Sequence, residues 1–135
     1  MYQIEIKISF RSAHRLLPPY KGHCNNVHGE FYTAIFIFGK RVLDSSGMVM
    51  DFGKAKKILK TWIDENLDHA YICHKKDDVG GYLKYKGFRV YKMDDNPTAE
   101  NLARFLFGLS YKLNIPAVKV GVVESSPESI AWYEK

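Results

Sequence analysis

Gly22-His23-Cys24-Asn25-Asn26-Val27-His28-Gly29-Glu30, read with the earlier Phe10-Arg11-Ser12-Ala13-His14, holds three of the five histidines, a thiol and a carboxylate. Both pieces lie where one extended segment ends and another begins. If a strand starts at His28, its period of two puts His28 and Glu30 on one face. His14 ends an alternating segment that could pair antiparallel with that strand, so a third ligand could arrive across the ladder. Each histidine alone reads as a polar loop residue, whereas the cluster reads as a metal site beside a reactive thiol.

Tyr2, Ile4, Ile6, Ile8 and Phe10 alternate with Gln3, Glu5, Lys7, Ser9 and Arg11, which predicts a first strand with one buried face. The second, Glu30 to Phe38, is apolar on both faces: Tyr32, Phe36 and Phe38 oppose Phe31, Ile35 and Ile37. One face can be covered by the chain's own helices; the other calls for a second subunit or a closed barrel. After the turn Asp44-Ser45-Ser46-Gly47, the residues Ala55, Ile58, Leu59, Trp62 and Leu67 recur at helical spacing. Lys54, Lys56, Lys57 and Lys60 form that helix's solvated face. Val79-Gly80-Gly81-Tyr82 reads as a loop and Phe88 to Met93 as a short strand. Thr98 is the expected N-cap of a second helix, with Glu100 in its first turn, a stripe of Leu102, Phe105, Leu106, Leu109 and Leu113, and a stop at Asn114 and Pro116. Val118, Val120 and Val122 share a face that Glu124 continues, before a turn at Ser125-Ser126-Pro127 and a terminal strand at Ile130 to Tyr133. This order predicts an α+β fold, two helices on one face of an antiparallel sheet, in a single domain of residues 1–135.

Composition narrows the function classes. With 46% hydrophobic and 26% charged residues the chain is of globular type, and no apolar run approaches the roughly 20 residues that span a bilayer. The start, Met1-Tyr2-Gln3-Ile4-Glu5, lacks a basic and then apolar leader, so a cytoplasmic protein without a membrane partner is expected. A net charge of +5 favours anionic ligands, but the lysines are scattered without an RNA-binding signature, so a phosphorylated small molecule is preferred to nucleic acid. Two cysteines, Cys24 and Cys73, exclude a disulfide framework and allow a working thiol.

Six segments in order carry a family resemblance: Ser9-Phe10-Arg11-Ser12-Ala13-His14, Cys24-Asn25-Asn26-Val27-His28-Gly29-Glu30, Gly47-Met48-Val49-Met50-Asp51-Phe52, Leu67-Asp68-His69, Pro97-Thr98-Ala99-Glu100-Asn101 and Val123-Glu124. Together they resemble the 6-pyruvoyltetrahydropterin synthase and 6-carboxytetrahydropterin synthase family. The resemblance implies the tunnelling fold (T-fold), in which subunits join their sheets into a barrel, commonly as a hexamer of two trimers with active sites between subunits. It implies a zinc ion in each subunit, held at His14, His28 and a third position where the family has histidine and this chain has Glu30. Two imidazoles and a carboxylate remain a sound zinc set with bonds of about 2.0–2.2 Å, though the exchange admits another divalent metal. His23 is the competing third donor, with Glu30 then an orienting acceptor. By the same resemblance Cys24 is the catalytic thiol, His69 its partner base with Asp68 as orienter, Glu124 the pterin anchor and Thr98 a further ring contact. Cys73 and His74 match no motif and read as structural. A free thiol of pKa about 8.5 is only about 3% thiolate at pH 7, so a proton shuttle at Cys24 requires a neighbour that favours the anion.

The implied substrate is 7,8-dihydroneopterin triphosphate, and the implied reaction is loss of triphosphate and acetaldehyde to give 6-carboxytetrahydropterin on the queuosine and deazapurine route. The short loop between His14 and Cys24 favours that branch. Formation of 6-pyruvoyltetrahydropterin without side-chain cleavage is the alternative, and a non-catalytic pterin- or metal-binding homologue is the alternative of another class.

Overall fold

The computed structural model describes residues 1–125 and 127–135. Ser126, in the turn expected at 125–127, lies outside the described residues. The alternating N-terminal segment forms β1 (Tyr2–His14), which runs four residues past Phe10, the last apolar residue of the alternation, and ends on His14 itself. It pairs antiparallel with β2 (His28–Lys40), from Tyr2 opposite Lys40 to His14 opposite His28. β5 (Lys119–Glu124) pairs antiparallel with β2, and β6 (Ile130–Glu134) with β5.

On the other side of β1 the expectation of a purely antiparallel sheet fails. β3 (Tyr71–His74) runs parallel to β1, and β4 (Val90–Met93) runs parallel to β3. The sheet is therefore mixed, in the order β4-β3-β1-β2-β5-β6. Parallel neighbours need a long crossover. The crossover between β3 and β4 contains a helix, α2 (Asp78–Tyr85), where the Gly80-Gly81 pair predicted a loop. Asp77 caps it, its carboxylate accepting from the Val79 amide. Gly80 serves close approach here rather than chain flexibility, because a Cβ at that position would collide with the Cys73 sulfur.

The two expected helices are α1 (Phe52–Asn66), capped by Asp51 through the Lys54 amide, and α3 (Ala99–Lys112), capped by Thr98 through the Asn101 amide. Ala55, Leu59 and Ile63 of α1 and Leu102, Leu106 and Leu109 of α3 are buried in one core with Ile6, Ile8, Phe10, Tyr32, Phe36, Phe38, Val120 and Val122. Ile72 of β3 joins this core, while its neighbour Cys73 faces α2. Successive strand residues point to opposite faces, so α2 packs on the sheet face away from α1 and α3. That outer face is only partly covered: Ile35 is buried, but Phe31, Ile130 and Trp132 are each more than 40% exposed. An Arg11 guanidinium lies 5.2 Å above the Phe31 ring, and Lys119 lies 4.5 Å above Trp132.

Candidate metal centre and active site

Register assembles the site. His14 stands directly opposite His28, and Ser12 opposite Glu30, so Glu30 is diagonal to His14 on the face that also carries Phe10 and Tyr32. His14 Nε2 is 3.0 Å from His28 Nε2 and 3.8 Å from Glu30 Oε1, and His28 Nε2 is 3.1 Å from the same oxygen. A tetrahedral ion with bonds of about 2.0–2.1 Å holds its ligand atoms roughly 3.3 Å apart, which these separations bracket.

The tautomers strengthen the fit. His14 Nδ1 is 3.1 Å from the Pro97 carbonyl oxygen, and His28 Nδ1 is 2.7 Å from the Asn26 carbonyl oxygen. A carbonyl only accepts, so both Nδ1 atoms carry hydrogen and donate. In the neutral rings both Nε2 lone pairs then point at each other and at a carboxylate, an arrangement that a cation resolves. Burial, and next the charge of His28, pushes the His14 imidazole down to about 4, so that it is neutral at pH 7, as a ligand must be. Glu30 is oriented through its other oxygen, Oε2, which accepts from the Ser125 hydroxyl. Ser125 sits in the left-handed region (φ 54°), and its amide donates to the Phe31 carbonyl at 2.7 Å.

Glu124 lies opposite Tyr32 in the β2–β5 register, on the same face as the triad. Burial raises its carboxyl to about 7, with further upward pressure from Glu30 and Glu100. Glu100, read from sequence as a carboxylate at a helix start, thus also acts on Glu124. The N-terminus of α3 adjoins the centre, since Pro97 accepts from His14 and Thr98 follows it. Thr98 has its hydroxyl committed to the Asn101 amide at 3.1 Å.

Cys24 occupies a short 3-10 turn (His23–Asn25) tied back to the exit of β1: the Leu16 amide donates to the Cys24 carbonyl at 2.7 Å, and Asn25 Nδ2 to the Leu16 carbonyl at 3.1 Å. It lies near enough to Tyr32 for a thiolate to help hold the phenol protonated, after burial, Glu124 and Glu30. Asp68 and His69 form a pair, Oδ2 to Nδ1 at 2.8 Å, with Asp68 Oδ1 accepting from the Arg11 amide at 2.9 Å. Arg89 holds the segment from behind by donating to the Asp64 and Asp68 carbonyls at 2.6 and 2.9 Å. His69 adopts a left-handed backbone (φ 62°), sparsely populated for a residue with a Cβ. It lies by a groove on the outer face, with Arg11, Ala13, Tyr71, Leu83 and Phe88. Among the described residues no hydrogen bond or ion pair joins His69 to Cys24 or to the triad. His23 is outside the converging donor set, which comprises His14, His28 and Glu30.

Sequence reading missed Tyr32, whose hydroxyl is 2.8 Å from His14 Nδ1, and Ser125. Parity held the signal for the first: Tyr32 follows His28 and Glu30 on the same face. Ser125 is visible only through tertiary structure.

The sequence pattern of the family described as 6-pyruvoyl tetrahydropterin synthase matches residues 3–135. The chain belongs to this family. It is a family of enzymes, the tetrahydropterin synthases. A 6-carboxy-5,6,7,8-tetrahydropterin synthase of Rickettsia typhi is 39% identical over 99 residues, covering 72% of this chain and 71% of that protein. The Haemophilus influenzae protein of the same name is 31% identical over 145 residues, covering all of both chains. Among solved structures, the 6-pyruvoyl tetrahydropterin synthase of Caenorhabditis elegans superposes with a TM-score of 0.69 at 26% identity, over 99% of this chain and 95% of that one. An uncharacterized protein from Wolinella succinogenes has a TM-score of 0.80 at 22% identity, over 99% and 98% of the two chains, a likeness of fold alone. The α+β architecture is accordingly the T-fold. No helix of the described residues is long and apolar enough to cross a membrane.

Proposed function

We propose that the protein is a metal-dependent 6-carboxytetrahydropterin synthase. In this reading 7,8-dihydroneopterin triphosphate and water give 6-carboxy-5,6,7,8-tetrahydropterin, acetaldehyde and triphosphate, a step toward queuosine and related deazapurines. The observation that carries the reading is the full-length match to a relative bearing that name, together with a donor triad of metal-site dimensions. His14, His28 and Glu30 would hold the metal, taken as zinc. Bound there, zinc supplies Lewis acidity toward hydroxyl and carbonyl oxygens.

The chain's own groups supply the remainder. Glu124 as carboxylate accepts two parallel hydrogen bonds from the pterin amino group and the adjacent ring N–H, fixing the ring. Thr98, beside it at the start of α3, is assigned a further ring contact. Cys24 takes and returns protons at the side-chain carbons, and His69, oriented by Asp68, exchanges protons at a hydroxyl. Since Asp68 and His69 lie on the sheet face away from the triad, a neighbouring copy is the natural source of that pair. The part-exposed outer face, with Phe31 and Trp132, supports a barrel completed by further copies, for which we propose a hexamer of two trimers.

Mass spectrometry of the products of 7,8-dihydroneopterin triphosphate tests the proposal. Acetaldehyde with the 6-carboxy product supports it. Retention of all side-chain carbons identifies 6-pyruvoyltetrahydropterin formation, the reading that the Caenorhabditis elegans neighbour favours. No turnover by metal-loaded protein would favour a non-catalytic pterin- or metal-binding homologue, which the exchange of histidine for Glu30 also fits.

A further inference from the structure

Each of the three converging donors is aimed by a partner, and the partner nearest to His14 has no assigned role. His28 Nδ1 donates to the Asn26 carbonyl two residues back, and Glu30 Oε2 accepts from the Ser125 hydroxyl. His14 has two partners at one atom: Nδ1 lies 3.1 Å from the Pro97 carbonyl oxygen and 2.8 Å from the Tyr32 hydroxyl oxygen. Because the carbonyl can only accept, Nδ1 carries the hydrogen, and the phenol oxygen is its second and nearer acceptor. Packing fixes the Tyr32 ring where it stands. Tyr32 and His14 are both fully buried, at 0% and 1% exposure. Phe10, opposite Tyr32 in the ladder, stacks on it with ring centroids 5.1 Å apart, and the His14 ring meets it edge-on at 5.9 Å, the planes 83° apart. β2 therefore carries His28, Glu30 and Tyr32 at alternate positions on one face, two donors and a group that aims the third.

We propose that Tyr32 is a positioning residue for the metal centre: its phenol oxygen takes the Nδ1 hydrogen of His14, fixes the tautomer and plane of that ring, and aims the Nε2 lone pair at the point where His28 and Glu30 converge. An acceptor on the far nitrogen of a ligating imidazole orients the ring and makes the other nitrogen a better donor. Pro97 shares this task from the segment leading into α3. Tyr32 acts from the strand that holds the other two donors, so the aim of His14 is tied to the same backbone as their spacing. The inference rests on the reading of His14 as a ligand.

Tyr32→Phe tests it, because it removes one oxygen and leaves a ring of the same shape against Phe10. Zinc affinity, measured by competition with a chromogenic chelator, should fall by about tenfold, the lower end of the 10- to 100-fold range for loss of such a partner, since Pro97 still accepts. With cobalt(II) loaded in place of zinc, the visible absorption bands of the variant should change in position or intensity, because they respond to the angle of the ligating ring. Zinc affinity within about threefold of wild type would overturn the proposal. A loss of affinity with a cobalt spectrum superimposable on that of wild type would overturn it as well, being the mark of a general loosening. His14→Ala separates this inference from the reading beneath it. If His14→Ala binds zinc as wild type does, both are wrong; if His14→Ala empties the site while Tyr32→Phe leaves affinity and spectrum untouched, only the role of Tyr32 is refuted.

Discussion

Glu30 is where this chain departs from a three-imidazole site, and its replacement gives a prediction with a definite size. Oε1 is one corner of a triangle with edges of 3.0, 3.1 and 3.8 Å, and Oε2 is held by Ser125. Glu30→Ala removes a direct donor and the triad's one negative charge, leaving two imidazoles. Loss of an outer partner of a metal ligand typically costs 10- to 100-fold in affinity, so loss of the ligand itself should cost about 1,000-fold, roughly 4 kcal/mol. Ser125→Ala, which frees only the orienting contact, should fall within the 10- to 100-fold range. Glu30→His should retain binding, and His23→Ala should change little because His23 is outside the donor set. Competition against a chromogenic zinc chelator, with metal content of the purified variants, measures all four. If Glu30→Ala binds within tenfold of wild type, or if His23→Ala alone empties the site, the assignment of Glu30 as a ligand is wrong.

Other expectations concern the anchor, acid sensitivity and assembly. If Glu124 anchors the ring as proposed, Glu124→Gln replaces one acceptor oxygen by an N–H donor that faces the pterin's own donors, and binding should weaken by about 2–4 kcal/mol by calorimetry. On the same proposal the wild type binds through the Glu124 carboxylate, whose proton is held up to about 7, so affinity should drop about tenfold per pH unit below 7 while Glu124→Gln stays flat. In metal-free protein His14 is lowered to about 4 from 6.5, so the fold favours its neutral form. The associated stability is present above pH 6.5 and is lost as pH falls through 4, about 3 kcal/mol in all. Glu124 acts oppositely, its contribution being present at low pH and lost as pH rises through 7. Urea denaturation of wild type against His14→Asn should therefore show a gap that narrows from pH 7 to 4; a constant gap would contradict neutral burial of His14. Sedimentation at micromolar concentration should give an oligomer, whereas a monomer would refute both the outer-face argument and a partner-supplied His69.

Strand parity made much of the site legible. A period of two placed His28 and Glu30 together, and the antiparallel ladder brought His14 across, because each relation depends only on local geometry and one pairing. The Thr98 helix start was accessible for the same reason, a cap being a local relation between one side chain and the amides that follow it. β3 and α2 were hidden. A four-residue strand carries too little periodicity, and Gly80, which reads locally as a breaker, answers to a contact with Cys73 that no local pattern contains. The parallel pairing of β3 with β1 is likewise a property of the crossover. The Asp68–His69 motif was visible, but its separation from Cys24 within one chain required the sheet's two faces to be told apart.

The tight seat of α2 on β3 also bears on oxidation. With Gly80 leaving no gap over its sulfur, Cys73 is fully buried, and burial raises its thiol to about 11. A peroxide or disulfide reagent therefore meets a single accessible thiol in each folded chain, at Cys24. Mild oxidation would register at Cys24 before Cys73, and a mixed disulfide formed there could be reversed by reductant with the core undisturbed.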